Sequence, residues 1–73
     1  MGERAELHTG DRVSWVTPQG RTRGEVTDIR TTDFTFAGQR FTASSEDPTF
    51  IVASEKSGSE AAHKRKALRK IPD

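Results

Sequence analysis

The stretch 10–26, GDRVSWVTPQGRTRGEV, admits few folds. Val13, Trp15 and Thr17 share one parity, and Arg12, Ser14 and Val16 share the other. Side chains of a strand alternate between two faces, so Val13 and Trp15 enter a core together. Thr17-Pro18-Gln19-Gly20 then turns the chain, because Pro18 pre-sets φ at the second turn position and Gly20 tolerates positive φ. Gly24, inside the returning strand, marks a bulge or a close backbone approach. The segment reads as a β-hairpin with strands over 11–17 and 21–30.

Downstream, the pattern stays one of short strands between turn signals. Val26 and Ile29 have opposite parity, which a bulge or strong bend between them reconciles. Thr31-Thr32-Asp33 breaks the strand. Phe34 and Phe36 share a parity, Ala37-Gly38 is a turn signal, and 39–43 resumes as a strand with Phe41 and Ala43 on one face. Residues 44–48 form a loop, since Pro48 cannot extend a central strand. The run 49–55 is the most apolar and reads as a central strand, followed by a turn at Lys56-Ser57-Gly58. The segment after Glu60 reads as a last long strand or the start of a helix. Ala61, Leu68 and Ile71 are too few apolar residues for an amphipathic helix, so the strand is favoured. It runs through His63, then a tight 3₁₀ turn over 65–67, then a short strand over 68–71 that Pro72 stops.

These elements predict an all-β fold: a small SH3-like barrel of about five short antiparallel strands, with the 3₁₀ turn before the last. The single domain is expected over 10–71, behind a flexible polar segment 1–9 from which Leu7 packs on the barrel edge. The expected core is Val13, Trp15, Val26, Ile29, Phe41, Phe50 or Ile51, Val52, Ala62, Leu68 and Ile71. Composition matters here because the chain is short. With 73 residues, 30% of them hydrophobic and 32% charged, it is one marginally stable domain, and weak self-association is left open. There is no Cys, which removes disulfides and thiolate metal sites and fits a reducing cytoplasm. The first residues carry no apolar core of a secretory signal, and no apolar run is long enough to cross a membrane.

An ordered combination of residues resembles a known family. It consists of Gly10-Asp11-x-Val13-x-Trp15, Gly20-x-x-x-Gly24-x-Val26, Phe50-x-Val52-x-Ser54-Glu55-Lys56-Ser57-Gly58, Ala61-Ala62-His63-Lys64 and Leu68-x-Lys70-Ile71. In this order the pieces resemble the hypervirulence-associated protein Tudor-like domain family over 10–71. These are small proteins, mostly bacterial with fungal members. The resemblance implies an SH3-like barrel of the Tudor type. It brings no settled activity or ligand, and no catalytic residues to carry over.

The net charge is only +1, but its distribution is uneven. Lys64, Arg65, Lys66, Arg69 and Lys70 crowd one short window, while 45–48 and 55–60 are acidic. With His63, and with Arg21 and Arg23 near the first turn, this window is the candidate contact surface for an acidic protein partner or for phosphates. An isoelectric point of about 8.2 is below the usual nucleic-acid footprint, which lies above about 9. A cage for a methylated cation needs several aromatic faces around it. Trp15 and Phe41 are spoken for by the core, so Phe34 and Phe36, beside Asp33, are the candidate aromatic patch. No nucleophile elbow or triad order accompanies the two histidines, His8 and His63. Glu46 and Asp47 are adjacent and point apart in an extended segment. The local partners of His63 are cations, which disfavours a metal. GRTRG at 20–24 lacks the Lys-Ser/Thr ending of a phosphate loop. The sequence therefore predicts a cytoplasmic, non-catalytic binding or adaptor module without cofactor or metal. It meets an acidic partner through the basic C-terminal segment, with nucleic acid as the alternative.

Overall fold

In the computed structural model of the chain, which describes residues 7–72, the first hairpin forms as its parity requires. Strand β1 (Arg12–Thr17) runs antiparallel to β2 (Gly20–Arg30), paired from Arg12↔Glu25 to Thr17↔Gly20. The Thr17 hydroxyl stitches the turn by donating to the Gly20 carbonyl at 2.8 Å and accepting the Gln19 N–H at 3.2 Å. Gly20 sits at φ +118°, a conformation that side chains disfavour.

The long strand β2 also pairs with β5 (Thr49–Ser54), and the register slips between Val26 and Asp28. Thr27 is the bulged residue, and its hydroxyl donates to the Ile51 carbonyl at 3.2 Å. The slip resolves the opposite parities: Val26 faces Val52, and Ile29 faces Phe50, on one side of the sheet. Gly24 has the other role anticipated for it. A Cβ there would collide with the Ala53 carbonyl group and come within 2.9 Å of the Trp15 ring. Gly24 is thus where β5 and an indole press against bare backbone.

Strand β6 (Glu60–Lys64) lies on the far side of β5, after a turn in which Gly58 adopts φ +77°. The 3₁₀ turn Arg65–Ala67 then carries the chain to β7 (Arg69–Lys70), which pairs with β1. The sheet order is β6-β5-β2-β1-β7, entirely antiparallel. Between β2 and β5 in the chain, β3 (Phe34–Phe36) and β4 (Gln39–Phe41) form a separate hairpin across Ala37-Gly38, both at positive φ.

One expectation is corrected. The main sheet has five short antiparallel strands, as expected, and two more form the separate hairpin, seven among the described residues. The sheet is not a closed barrel, because β6 and β7 at its two ends do not pair. The last strand is only two residues long and Pro72 follows it, which leaves too little backbone to complete the ring. The all-β, antiparallel fold with a 3₁₀ turn before the last strand is as expected.

The core lies on the concave side. Leu7, Val13, Trp15, Val26, Phe50, Val52 and Leu68 form one buried cluster, with Ile29 and Ala61 packed against it. Each large side chain so buried contributes roughly 1.5–3 kcal/mol. Leu7 joins the core itself; residues 1–6 of the segment expected to be flexible lie outside the described residues. Phe50 and Ile51 are both buried, but Ile51 is not in the cluster and pairs with Ala62. Ala62 is thereby off the core face, and Ala61 takes the place expected of it. Phe41 and Ile71 are half-buried and also lie outside the cluster.

Candidate binding face

The parity that sends Val13 and Trp15 inward puts Arg12, Ser14 and Val16 on the convex face of β1. Neighbouring strands add to this face in register. Ser14 is flanked by Arg23 of β2 on one side and Arg69 of β7 on the other, and Val16 faces Arg21. Directly paired residues project on the same side of a sheet, so three arginines converge around one serine. The Arg21 guanidinium donates from Nη1 to Ser14 Oγ at 3.3 Å. Ser14 is only 5% exposed, whereas Val16 beside it is 66% exposed.

An open groove of about 520 Å³ lies over this serine, lined by Ser14, Arg21, Arg23, Glu55, Lys56 and Ile71. Its charges are unbalanced. Glu55 is taken by Arg12, whose Nη2 lies 2.6 Å from Glu55 Oε2. No carboxylate among the described residues pairs with Arg21, Arg23, Lys56 or Arg69. Guanidinium forks suit carboxylates and phosphates, so this arrangement can hold an anion against a polar floor.

The other residues of the basic segment go elsewhere. His63 turns toward the concave side, where its ring meets Trp15 at a centroid distance of 5.8 Å and a tilt of 45°. Burial pushes its imidazole below the ordinary value. The Lys64 ammonium fastens the 42–48 loop, donating to the carbonyls of Thr42 (2.8 Å) and Asp47 (3.0 Å) and pairing with Asp47 Oδ2 at 3.2 Å. Arg65 closes its own turn by donating to the Leu68 carbonyl at 2.8 Å. Lys66 is exposed on the 3₁₀ turn. Lys70 lies 3.7 Å from Asp11 Oδ2. The Asp11 carboxyl is held below its usual range first by the His8 backbone N–H and then by Lys70. Of the eight basic residues singled out by sequence, the structure brings together Arg21, Arg23 and Arg69. Sequence reasoning does not single out Ser14 or Lys56; the parity of Ser14 opposite Trp15 is the only signal.

Phe34 and Phe36, the candidate aromatic patch, lie in one ring cluster with Phe41. Phe34 and Phe41 stack at 5.4 Å and 18°, Phe36 meets Phe41 edge-on at 6.3 Å, and Arg30 covers the Phe34 ring at 5.2 Å. These rings fill one another's faces rather than surrounding a space. Asp33 is likewise occupied, its Oδ1 accepting the Ala43 N–H at 3.1 Å. Among the described residues no group of three or more His, Asp or Glu is placed to hold a metal ion. No helix among them is long and apolar enough to cross a membrane.

No curated protein and no solved structure matches this chain. The family model described as hypervirulence associated proteins TUDOR domain matches residues 10–68, from the glycine before β1 to the buried Leu68 that precedes β7. With the match spanning nearly the whole sheet, the chain belongs to the hypervirulence-associated Tudor-like domain family.

Proposed function

We propose that this domain is a non-catalytic binding module that takes an acidic protein partner on the convex face of β1, β2 and β7. Family membership supports a small binding module. The observation that carries the finer reading is the register Arg23–Ser14–Arg69, with Arg21 and Lys56 at the same groove and no carboxylate among the described residues paired with any of them. Two features favour a short acidic protein segment over a nucleic-acid strand. Glu55 borders the groove and Glu25 sits opposite Arg12, so a continuous run of phosphates would meet carboxylates at that end. At the other end, exposed Val16 offers an aliphatic contact that suits a side chain better than a sugar-phosphate.

The test is an NMR titration of the ¹⁵N-labelled domain with three probes: an Asp/Glu-rich peptide containing aliphatic residues, single- and double-stranded DNA, and RNA. The acidic peptide is expected to shift the amides of Ser14, Arg21, Arg23 and Arg69. A response to nucleic acid alone, with log affinity falling steeply against log salt, would transfer the face to phosphate recognition. Shifts confined to other strands would overturn the assignment of the face.

A further inference from the structure

Among the described residues the open sheet leaves β6 as a free edge, and its residues are self-complementary. In an antiparallel ladder, alternate residues turn both backbone groups toward the same neighbour. The Ser54 N–H donates to the Ser59 carbonyl at 2.9 Å. Counting on from that bonded pair, Ala61 and His63 turn their groups toward β5. Glu60 and Ala62, and the N–H of Lys64, therefore face away from the sheet. β6 lies at the end of the strand order, so nothing in the sheet covers this edge.

Native edges are usually blunted by a projecting lysine, a proline or a bulge. β6 has no proline, and its ladder with β5 is regular from Thr49↔Lys64 to Ala53↔Glu60. Its one lysine is diverted, since the Lys64 ammonium is spent on Thr42 and Asp47 of the loop. The centre of the strand, Ala61-Ala62, is small and leaves the backbone accessible. Glu60 has no ion-pair partner among the described residues.

We infer that β6 pairs antiparallel with β6 of a second copy, about a two-fold axis at Ala62. The sequence Glu60-Ala61-Ala62-His63-Lys64 carries opposite charges at its mirrored ends, Glu60 and Lys64, about that residue. In this register the two Ala62 residues exchange a pair of hydrogen bonds. The Lys64 N–H of each copy reaches the Glu60 carbonyl of the other, and Glu60 comes opposite Lys64 in the register, so no like charges face one another. The contact is isologous, so it closes at two copies rather than growing into a fibre. Only five residues a side take part, so the dimer is weak, with dissociation in the range of about 10 μM to 1 mM. It leaves the arginine face free.

Sedimentation velocity and ¹⁵N NMR over about 20 μM to 1 mM test this. The expected result is a mass rising from the 8.1 kDa monomer toward twice that value, with concentration-dependent shifts at Ala61, Ala62 and His63. Ala62→Pro removes a donor that turns away from β5, and should weaken the dimer at least tenfold. Glu60→Lys sets like charges opposite one another and should do the same without touching the backbone, so it decides the matter if Ala62→Pro fails to fold. A monomer throughout, growth beyond two copies, or a dimer indifferent to both changes would overturn the inference.

Discussion

Trp15 and His63 touch ring to ring at 5.8 Å although three strand-to-strand steps separate β1 from β6. In a flat sheet three steps span about 14 Å. The contact therefore measures how far the sheet curls, and it replaces the hydrogen-bonded closure that a barrel would have. It also fixes His63 in a half-buried, desolvated place.

That placement predicts a pH dependence of stability. Burial lowers the folded-state pKa of His63 below the unfolded value of about 6.5, so between the two the unfolded chain binds a proton that the folded one refuses. Stability is full above that range, falls as pH drops through 6.5, and levels off once the folded-state pKa is passed. Urea midpoints measured from pH 8 to 5 should show this fall, and His63→Phe, which keeps a ring against Trp15, should reduce it. Asp11 acts in a separate window. Its depressed carboxyl contributes stability that is lost only as pH falls through the acid range below about 3.8. An equal fall between pH 8 and 5 in the His63→Phe protein would show that the imidazole is not the group responsible.

Gly24→Ala tests the close approach of β5. The added methyl meets the carbonyl of Ala53 and the Trp15 ring, neither of which can yield without moving a strand or the core. A cost of about 3 kcal/mol or outright unfolding is expected, at the upper end for overpacking. Gly38→Ala is the comparison: it sits at φ +78° with nothing within 4 Å, so only backbone strain of about 1 kcal/mol applies. Thermal melts that rank the two the other way would remove close packing as the reason for Gly24.

These two residues also show what was legible in the sequence. Period-two parity and turn chemistry act over a few neighbours, so the first hairpin, the need for glycine at 24, the offset between Val26 and Ile29 and the 3₁₀ turn before β7 could all be read locally. The curl, the open ends and the separation of the β3–β4 hairpin from the main sheet depend on pairings between distant strands, and no local pattern encodes them; the hairpin itself could be read from its turn at Ala37-Gly38. The basic segment is the clearest case. Lys64, Arg65, Lys66, Arg69 and Lys70 read as one patch because they are close in sequence. Strand alternation and a 3₁₀ turn then send them to a loop, a turn, solvent, the arginine face and Asp11. The place of Phe41 shows the same limit, since strand pairing sets it against Phe34 rather than in the core with Trp15.

Lys64 should behave as a structural residue. Replacing it by Met keeps the aliphatic stem and removes the ammonium that holds three oxygens of the 42–48 loop. The group is partly exposed, so a loss of about 1 kcal/mol is expected rather than the larger value of a buried charged network. Hydrogen exchange should speed up at Ser44 and Asp47, whose amides close the loop on each other's carbonyls. Affinity for the acidic peptide should stay within about twofold, because the Lys64 ammonium is held by the 42–48 loop and does not line the groove over Ser14. A large loss of affinity without loop opening would move Lys64 back into the binding surface.

The arginine face makes the opposite prediction. Arg23→Gln and Arg69→Gln remove charges that have no carboxylate partner among the described residues, so the melting temperature should stay the same or rise slightly as like-charge repulsion is relieved. Binding of the acidic peptide should fall by roughly tenfold for each, as expected when an exposed charge-assisted contact worth about 1.4 kcal/mol is lost. The two substitutions flank Ser14 from opposite strands, so their effects should be less than additive if one carboxylate spans both forks. Lys66→Gln, on the 3₁₀ turn, removes the same formal charge and should change affinity by less than twofold. This contrast separates a built site from general electrostatic attraction. If Lys66→Gln weakens binding as much as Arg23→Gln does, the partner responds to net charge alone and the groove over Ser14 is not its site.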